Sequence, residues 1–156
     1  MEVHIFYVTF IDDFSRKVFI FLLKHKYDVF EKFKEFKALV ENETSKKIYT
    51  IRSDNGGEFC SSPFVKFCKI HGIKKETSTP YTPQQNGVDE RYNRTIMEMA
   101  RAMMFETNLD FKFWGEAVVF STNILNCLPF KALKSTTPHE VWTRIKLDIY
   151  FFKTFG

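Results

Sequence analysis

The sequence is short of the residues that build covalent or metal staples. Its three cysteines, Cys60, Cys68 and Cys127, are odd in number and none forms a Cys-x-x-Cys pair, which excludes a disulfide framework and a zinc knuckle. They are expected to be reduced, partly buried thiols. The four histidines, His4, His25, His71 and His139, are scattered without metal-ligand spacing, so no zinc is expected in this chain. Long apolar runs are missing too. No stretch approaches the ~20 apolar residues of a membrane span, and no basic N-terminal region leads into a long apolar run, so no signal peptide is read. Internal repeats and low-complexity tracts are absent. The expectation is a soluble, intracellular protein with no membrane partner.

Charge is close to balanced, with 23 Lys and Arg against 19 Asp and Glu for a formal net charge of +4. That sum permits a polyanionic partner without demanding one, because surface cations that only solubilise a domain give the same total. Lys24, Lys26, Lys46, Lys47, Lys74 and Lys75 are read in that plain sense.

Phenylalanine is abundant. There are 19 in 156 residues, within a 44% hydrophobic content, enough for one domain with a real core over residues 1–156. Val3 to Ile11 and Val18 to Leu23 are β-branched and aromatic, and the break at Asp12-Asp13-Phe14-Ser15-Arg16 makes them an antiparallel hairpin. Both are almost continuously apolar, so they are expected inside a sheet covered on both faces. Asp28 is placed to cap a helix through about Glu41, with Val29, Phe30, Phe33, Phe36 and Val40 as its apolar stripe. Ser61 or Ser62 before Pro63 starts another, carrying Phe64, Val65, Phe67, Cys68 and Ile70 as far as His71-Gly72. Ile73 to Thr77 reads as a short edge strand, and Ser78 to Gly87 as loop. A long helix follows from about Gly87 to Glu106, burying Val88, Tyr92, Ile96, Met99 and Met103. A helical extension begins at about 111, over Phe111 to Cys127 and then Pro138 to Arg144 with Thr137 as cap.

Two acids stand out against this background. Ile48 to Ile51 reads as a strand running into Asn55-Gly56-Gly57, which puts Asp54 where strand gives way to turn. Glu90 is expected in the first helical turn after the loop, where the helix dipole favours an acid and leaves it accessible. The helix count sets Glu90, Asn93, Arg94, Met97 and Arg101 on one face, away from the apolar stripe. The bland alternative for Glu90 and Arg94 is a solvated i, i+4 salt bridge.

At these residues the sequence resembles the catalytic core of integrases, in wording closest to the copia-type retrotransposon branch. The resemblance rests on Phe10 to Arg16, on Arg52-Ser53-Asp54-Asn55-Gly56-Gly57-Glu58-Phe59, and on Tyr81 to Arg94 with its Gly87-Val88-Asp89-Glu90-Arg91 ending. It continues through Phe113 to Ala117 and Thr137 to Trp142. It implies an α/β fold, the ribonuclease H-like mixed sheet flanked by helices. It also implies two Asp and one Glu, the last two separated by 35 residues, as Asp54 and Glu90 are here. These two carboxylates are the expected catalytic residues and metal ligands, for Mg2+ or Mn2+. The family's first catalytic Asp would lie on a strand upstream of Met1, so the chain is expected to be a core truncated at both ends, its first strand missing and the chain inactive or weak alone. Asp12 and Asp13 match a hairpin turn instead.

The implied chemistry is metal-dependent phosphodiester cleavage and strand transfer on DNA, acting on element ends and target DNA in the nucleus. Gln84, Gln85 and Asn86 in the loop, with Asn93, Arg94 and Arg101 on the helix, are the expected phosphate contacts. A homo-oligomer is expected, because losing a central strand would bare apolar hairpin surface. The alternative from another class is a non-catalytic nucleic-acid-binding remnant or interaction domain.

Overall fold

The apolar runs near the N-terminus form two strands, β1 (Phe6–Ile11) and β2 (Val18–Leu23), neighbours in a two-stranded sheet. The computed structural model describes residues 6–54, 56–77 and 83–148, except for the side chains of residues 83–86, 88 and 89. The turn between the strands is built by its acids. Asp12 Oδ2 accepts from both the backbone N–H and the hydroxyl of Ser15, each at 2.7 Å, while Asp13 pairs with Arg16 at 2.8 Å. Both acids therefore serve the turn. Coverage of the hairpin is less complete than its composition predicts: Val8, Phe10, Val18 and Leu23 are buried, and the rest of both strands is half-buried. The even positions of β1 face the core because successive side chains alternate across a strand.

The chain falls into two compact units, one comprising residues 1–22 and 89–156 and the other residues 23–88. In the second, a 3-10 turn over Lys26–Asp28 leads into α1 (Val29–Thr44). Val29, Phe33, Phe36 and Val40 are buried at the spacing the sequence predicts, and Phe30 is half-buried. Asp28 does not cap through its side chain. The 3-10 turn holds it in a helical conformation, and its Oδ2 instead accepts from the His25 N–H at 2.8 Å. Next come β3 (Thr50–Ser53), α2 (Gly57–Cys60), α3 (Ser62–Ile70) and β4 (Lys74–Thr77). The strand expected at 48–51 lies at 50–53, because its register is fixed by parallel pairing with β4, Thr50 opposite Lys74 and Arg52 opposite Glu76. Phe64 is fully buried, with Phe33, Phe59 and Phe30 rings at 4.9, 5.5 and 5.8 Å. Ile70, expected on the apolar side of α3, is 70% exposed, since α3 ends there.

In the first unit, α4 runs over Pro83–Thr107, followed by a 3-10 turn at Phe111–Phe113, α5 (Trp114–Cys127), a 3-10 turn at Lys131–Leu133 and α6 (Pro138–Thr143). The loop expected as far as Gly87 is therefore helical from Pro83. Proline suits a first helical position, where its missing N–H costs no bond and its fixed φ is already helical. Along α4, Tyr92, Ile96 and Ala100 are buried and Met99 and Met103 half-buried, while the side chain of Val88 lies outside the described residues. α5 packs closely on β2: a Cβ at Gly115 would lie 2.9 Å from Leu22 Cδ1. The buried Asn126 completes that packing, accepting from the Val18 N–H and donating to the Val18 carbonyl, both at 2.8 Å. Ser121 and Thr122, also buried on α5, return their hydroxyls to the Ala117 and Val118 carbonyls. Each buried polar group there has a partner, as a desolvated group requires.

Candidate active site

Asp54 follows β3 directly and is exposed. Its Oδ1 accepts from the Gly56 N–H at 3.0 Å, a local turn bond that fixes the carboxylate at the strand end. Gly56 has φ −53°, so its role is to leave space rather than to supply an unusual backbone conformation. A Cβ there would lie 2.9 Å from Asp54 Oδ1, 3.1 Å from Glu58 Cδ and 3.2 Å from Glu58 Oε1. Two oxygens at 2.9 and 3.2 Å from one point are at most 6.1 Å apart, so the Glu58 carboxylate is a near neighbour of Asp54. Sequence reasoning missed Glu58. The available signal was an acid in the first turn of a helix four residues after Asp54. Asn55 lies outside the described residues.

The strand pair beneath carries its own charges. Glu76 accepts from Lys74 at 2.9 Å and from Arg52 at 3.3 Å, and those hydrogen bonds, Lys74 first, hold its carboxyl below the usual range. Lys75 Nζ reaches Cys60 Sγ at 3.3 Å. All three cysteines are free, with Cys60 exposed, Cys68 buried and Cys127 between. Burial pushes the Cys68 and Cys127 thiols up.

Glu90 belongs to the other unit. It is the eighth residue of α4 rather than a member of its first turn, and it is exposed. Among the described residues it forms no ion pair with Arg94, which is exposed one turn on, so the solvated-bridge alternative is not what α4 shows. Arg101 is exposed on the same face, and Asn93 and Met97 are half-buried. Asn93 is fixed from outside the helix, because Thr9 Oγ1 on β1 donates to its Oδ1 at 3.2 Å. Two residues earlier on the same side of β1, Tyr7 packs on Trp114 with ring centroids 6.0 Å apart. Burial raises the Tyr7 hydroxyl, and the Arg101 charge opposes that rise. Thr9 and Tyr7 are supporting residues that the sequence did not announce. Gln84, Gln85 and Asn86 lie on the opening turns of α4 rather than on a loop, and their side chains fall outside the described residues.

Asp54 and Glu90 each offer exposed, hard carboxylate oxygens, the donor chemistry that Mg2+ prefers, and the Glu58 carboxylate adds to the supply beside Asp54. Among the described residues, no group of three His, Cys, Asp or Glu is assembled. Arg94, Arg101 and the Asn93 amide nitrogen are donors suited to phosphate oxygens.

Comparison with known proteins gives these features a context. The family described as Integrase core domain matches residues 3–83. The Pol polyprotein from transposon TNT 1-94 of Nicotiana tabacum is 46% identical over 151 residues, which are 97% of this chain and 11% of that protein. The Pol polyprotein from transposon RE2 of Arabidopsis thaliana is 36% identical over 135 residues, 86% of this chain and 9% of that protein. The chain thus spans about a tenth of the length of these curated relatives. Among solved structures, a chain of the simian T-cell lymphotropic virus intasome in complex with PP2A regulatory subunit B56 gamma matches with TM-score 0.71 at 20% identity. That match covers 91% of this chain and 49% of the other. The HTLV-2 integrase catalytic core domain in complex with magnesium, in its trimeric form, gives TM-score 0.63 at 24% identity, covering 86% and 82%. At these identities the likeness shows the fold.

Proposed function

Because the chain belongs to the integrase core domain family and has its ribonuclease H-like α/β fold, we propose that it is the catalytic-core part of a copia-type retrotransposon integrase, working on DNA in integration. The observation that carries this reading is the pair of exposed carboxylates at the family's spacing, Asp54 at a strand end and Glu90 on α4. Asp54 and Glu90 would hold divalent ions, Mg2+ or Mn2+; the magnesium in the HTLV-2 core supports that assignment. When bound, such ions activate the attacking oxygen and neutralise charge on the phosphate and leaving oxygen.

The chain's own groups prepare that chemistry. Gly56 fixes the Asp54 carboxylate through its N–H and leaves room for it. Arg94 and Arg101 present unidirectional donors to the phosphate backbone, and Asn93, its oxygen held by Thr9, keeps its amide N–H groups for the same purpose. These contacts orient DNA without reading its sequence. Element-end and target DNA are the substrates of this reading. The trimeric and dimeric forms of the HTLV-2 core support a homo-oligomer.

Titration of Mn2+ into the chain, beside Asp54→Asn and Glu90→Gln, tests the proposal together with strand transfer on an element-end duplex. Mn2+ binding and strand transfer that both fall at least tenfold in either variant support it. Unchanged Mn2+ binding in both variants would overturn the shared carboxylate site. Metal-independent duplex binding by a folded parent chain that binds no Mn2+ would favour a non-catalytic nucleic-acid-binding domain.

A further inference from the structure

The net charge of +4 is not spread evenly. Residues 128–148 carry Lys131, Lys134, Arg144 and Lys146 against Glu140 and Asp148, four cations minus two anions, for a local charge of +2. All four cations are exposed, and among the described residues none of their side chains has an ion pair or hydrogen bond. Glu140 feels the charge of Lys146, but its oxygens are bonded to other groups. Its Oε1 accepts from the Leu147 N–H at 3.0 Å, and its Oε2 accepts from the Thr137 N–H at 3.2 Å and the Thr137 hydroxyl at 3.0 Å.

Those same bonds make one rigid knot of the segment. The Phe130 N–H donates to the Thr136 carbonyl at 3.1 Å, and the Leu133 and Ser135 N–H groups return to the Phe130 carbonyl. Glu140 then ties the first residue of the next turn, Thr137, to Leu147 beyond the end of α6. Lys131 and Lys134 on one loop and Arg144 and Lys146 on the other are thereby held on a common scaffold. Trp142 anchors it, packing edge-on to Phe19 at 5.1 Å with Lys17 Nζ 5.3 Å from the Trp142 ring.

The backbone at two of these cations makes a clean substitution possible. Lys134 (φ 53°) and Arg144 (φ 60°) both occupy the left-handed region, each as the C-terminal cap of its helix. Glycine is the favoured residue there, because a Cβ is strained in that conformation. A cation at a helix C-terminus also gains from the dipole, but these helices have three and six residues and little dipole to offer. Two strained positions thus carry charge where glycine would fold more easily. The same conformation occurs at Arg16, Ser45, Asn108 and Ser135, so at Lys134 and Arg144 it only marks sites where glycine would remove charge without adding strain.

We infer that Lys131, Lys134, Arg144 and Lys146 form a second DNA-binding surface, which grips the phosphate backbone of duplex DNA without reading its sequence. The surface is separate in sequence and element from the Glu90, Arg94 and Arg101 face of α4. The choice of DNA as the polyanion rests on the proposed function.

Fluorescence anisotropy with a labelled random-sequence duplex, in EDTA and across a salt series, tests the surface without metal chemistry. Replacing all four cations with Gln is expected to weaken binding at least tenfold near 0.1 M salt and to reduce the slope of log K against log salt by about 3 to 4, roughly 0.9 per phosphate contact. The variant pair Lys134→Gly and Arg144→Gly guards against a folding artefact: it should melt at or above the parent temperature, yet bind more weakly and with a slope lower by about 2. An unchanged slope in both variants, or a poly-glutamate probe bound as tightly as DNA, would overturn the assignment. If strand transfer survives Glu90→Gln while the cation variants still lose duplex binding, the carboxylate reading fails and the surface stands; parent-like binding by the cation variants, with strand transfer lost in Glu90→Gln, gives the reverse.

Discussion

Thr9 Oγ1 donates to Asn93 Oδ1 at 3.2 Å, joining β1 to α4 across 84 residues of sequence. The bond orients a side chain on the face that bears Glu90. Thr9→Val keeps the shape and removes the donor, so it should cost about 1 kcal/mol in urea unfolding, while Thr9→Ser should stay near the parent. On the proposed function, Thr9→Val should also weaken duplex binding by the α4 face, since the Asn93 amide loses its fixed orientation.

Gly56→Ala should separate positioning from folding. Its φ of −53° suits alanine, so the melting temperature should change little. The new Cβ, 2.9 Å from Asp54 Oδ1, must displace that carboxylate, so Mn2+ affinity should fall. Gly57→Ala, with nothing within 4 Å of the added carbon, is the matched control and should leave binding unchanged. Equal Mn2+ affinity in the two variants would show that Gly56 does not position Asp54.

Asn126 satisfies both polar groups of Val18 from inside α5. Asn126→Leu leaves a buried N–H and a buried carbonyl without partners, and should cost about 3 kcal/mol by thermal or urea melting. Asn126→Asp should be comparably harmful, because it sets an acceptor against the Val18 carbonyl.

Phe64 has no exposed surface and lies within ring-contact distance of Phe30, Phe33 and Phe59. Phe64→Ala should cost about 3 to 5 kcal/mol through lost burial and the cavity left behind, read from denaturant midpoints. Ile70→Ala, on the same helix but 70% exposed, should cost far less.

Glu140 supplies a pH dependence whose sign follows from its bonds. The Leu147 N–H, then the Thr137 N–H and hydroxyl, hold its carboxyl below the ordinary range. A depressed carboxyl contributes stability above its unfolded pKa, about 4.3 for Glu, and loses that contribution as the pH falls through the lower folded value. The parent should therefore melt above Glu140→Gln at pH 7, with the gap closing as the pH drops below about 4. A gap constant from pH 7 to 3 would refute the linkage.

How much of this was legible in the sequence depends on the range of the interaction. The α1 stripe of Val29, Phe33, Phe36 and Val40 and the Thr137–Glu140 capping box are set by neighbours three or four residues away, so their pattern could be read directly. The Asp12 and Asp13 turn is equally local. By contrast, β3 shifted by two residues because its register answers to β4, and the start of α4 at Pro83 placed Gln84, Gln85 and Asn86 on a helix rather than a loop.

The sequence by itself determined most of the helices and strands, though not α2 or the start of α4, and the turn acids and the two carboxylates at their spacing, because periodicity, caps and motifs are properties of adjacent residues. Only the tertiary structure decided that Glu58 stands beside Asp54, that Asn126 completes Val18, that Thr9 holds Asn93, and that Glu140 ties Thr137 to Leu147. Those contacts depend on which faces meet once apolar surface is buried. Desolvation then obliges each polar group at the contact to find a partner that the chain supplies from a distance.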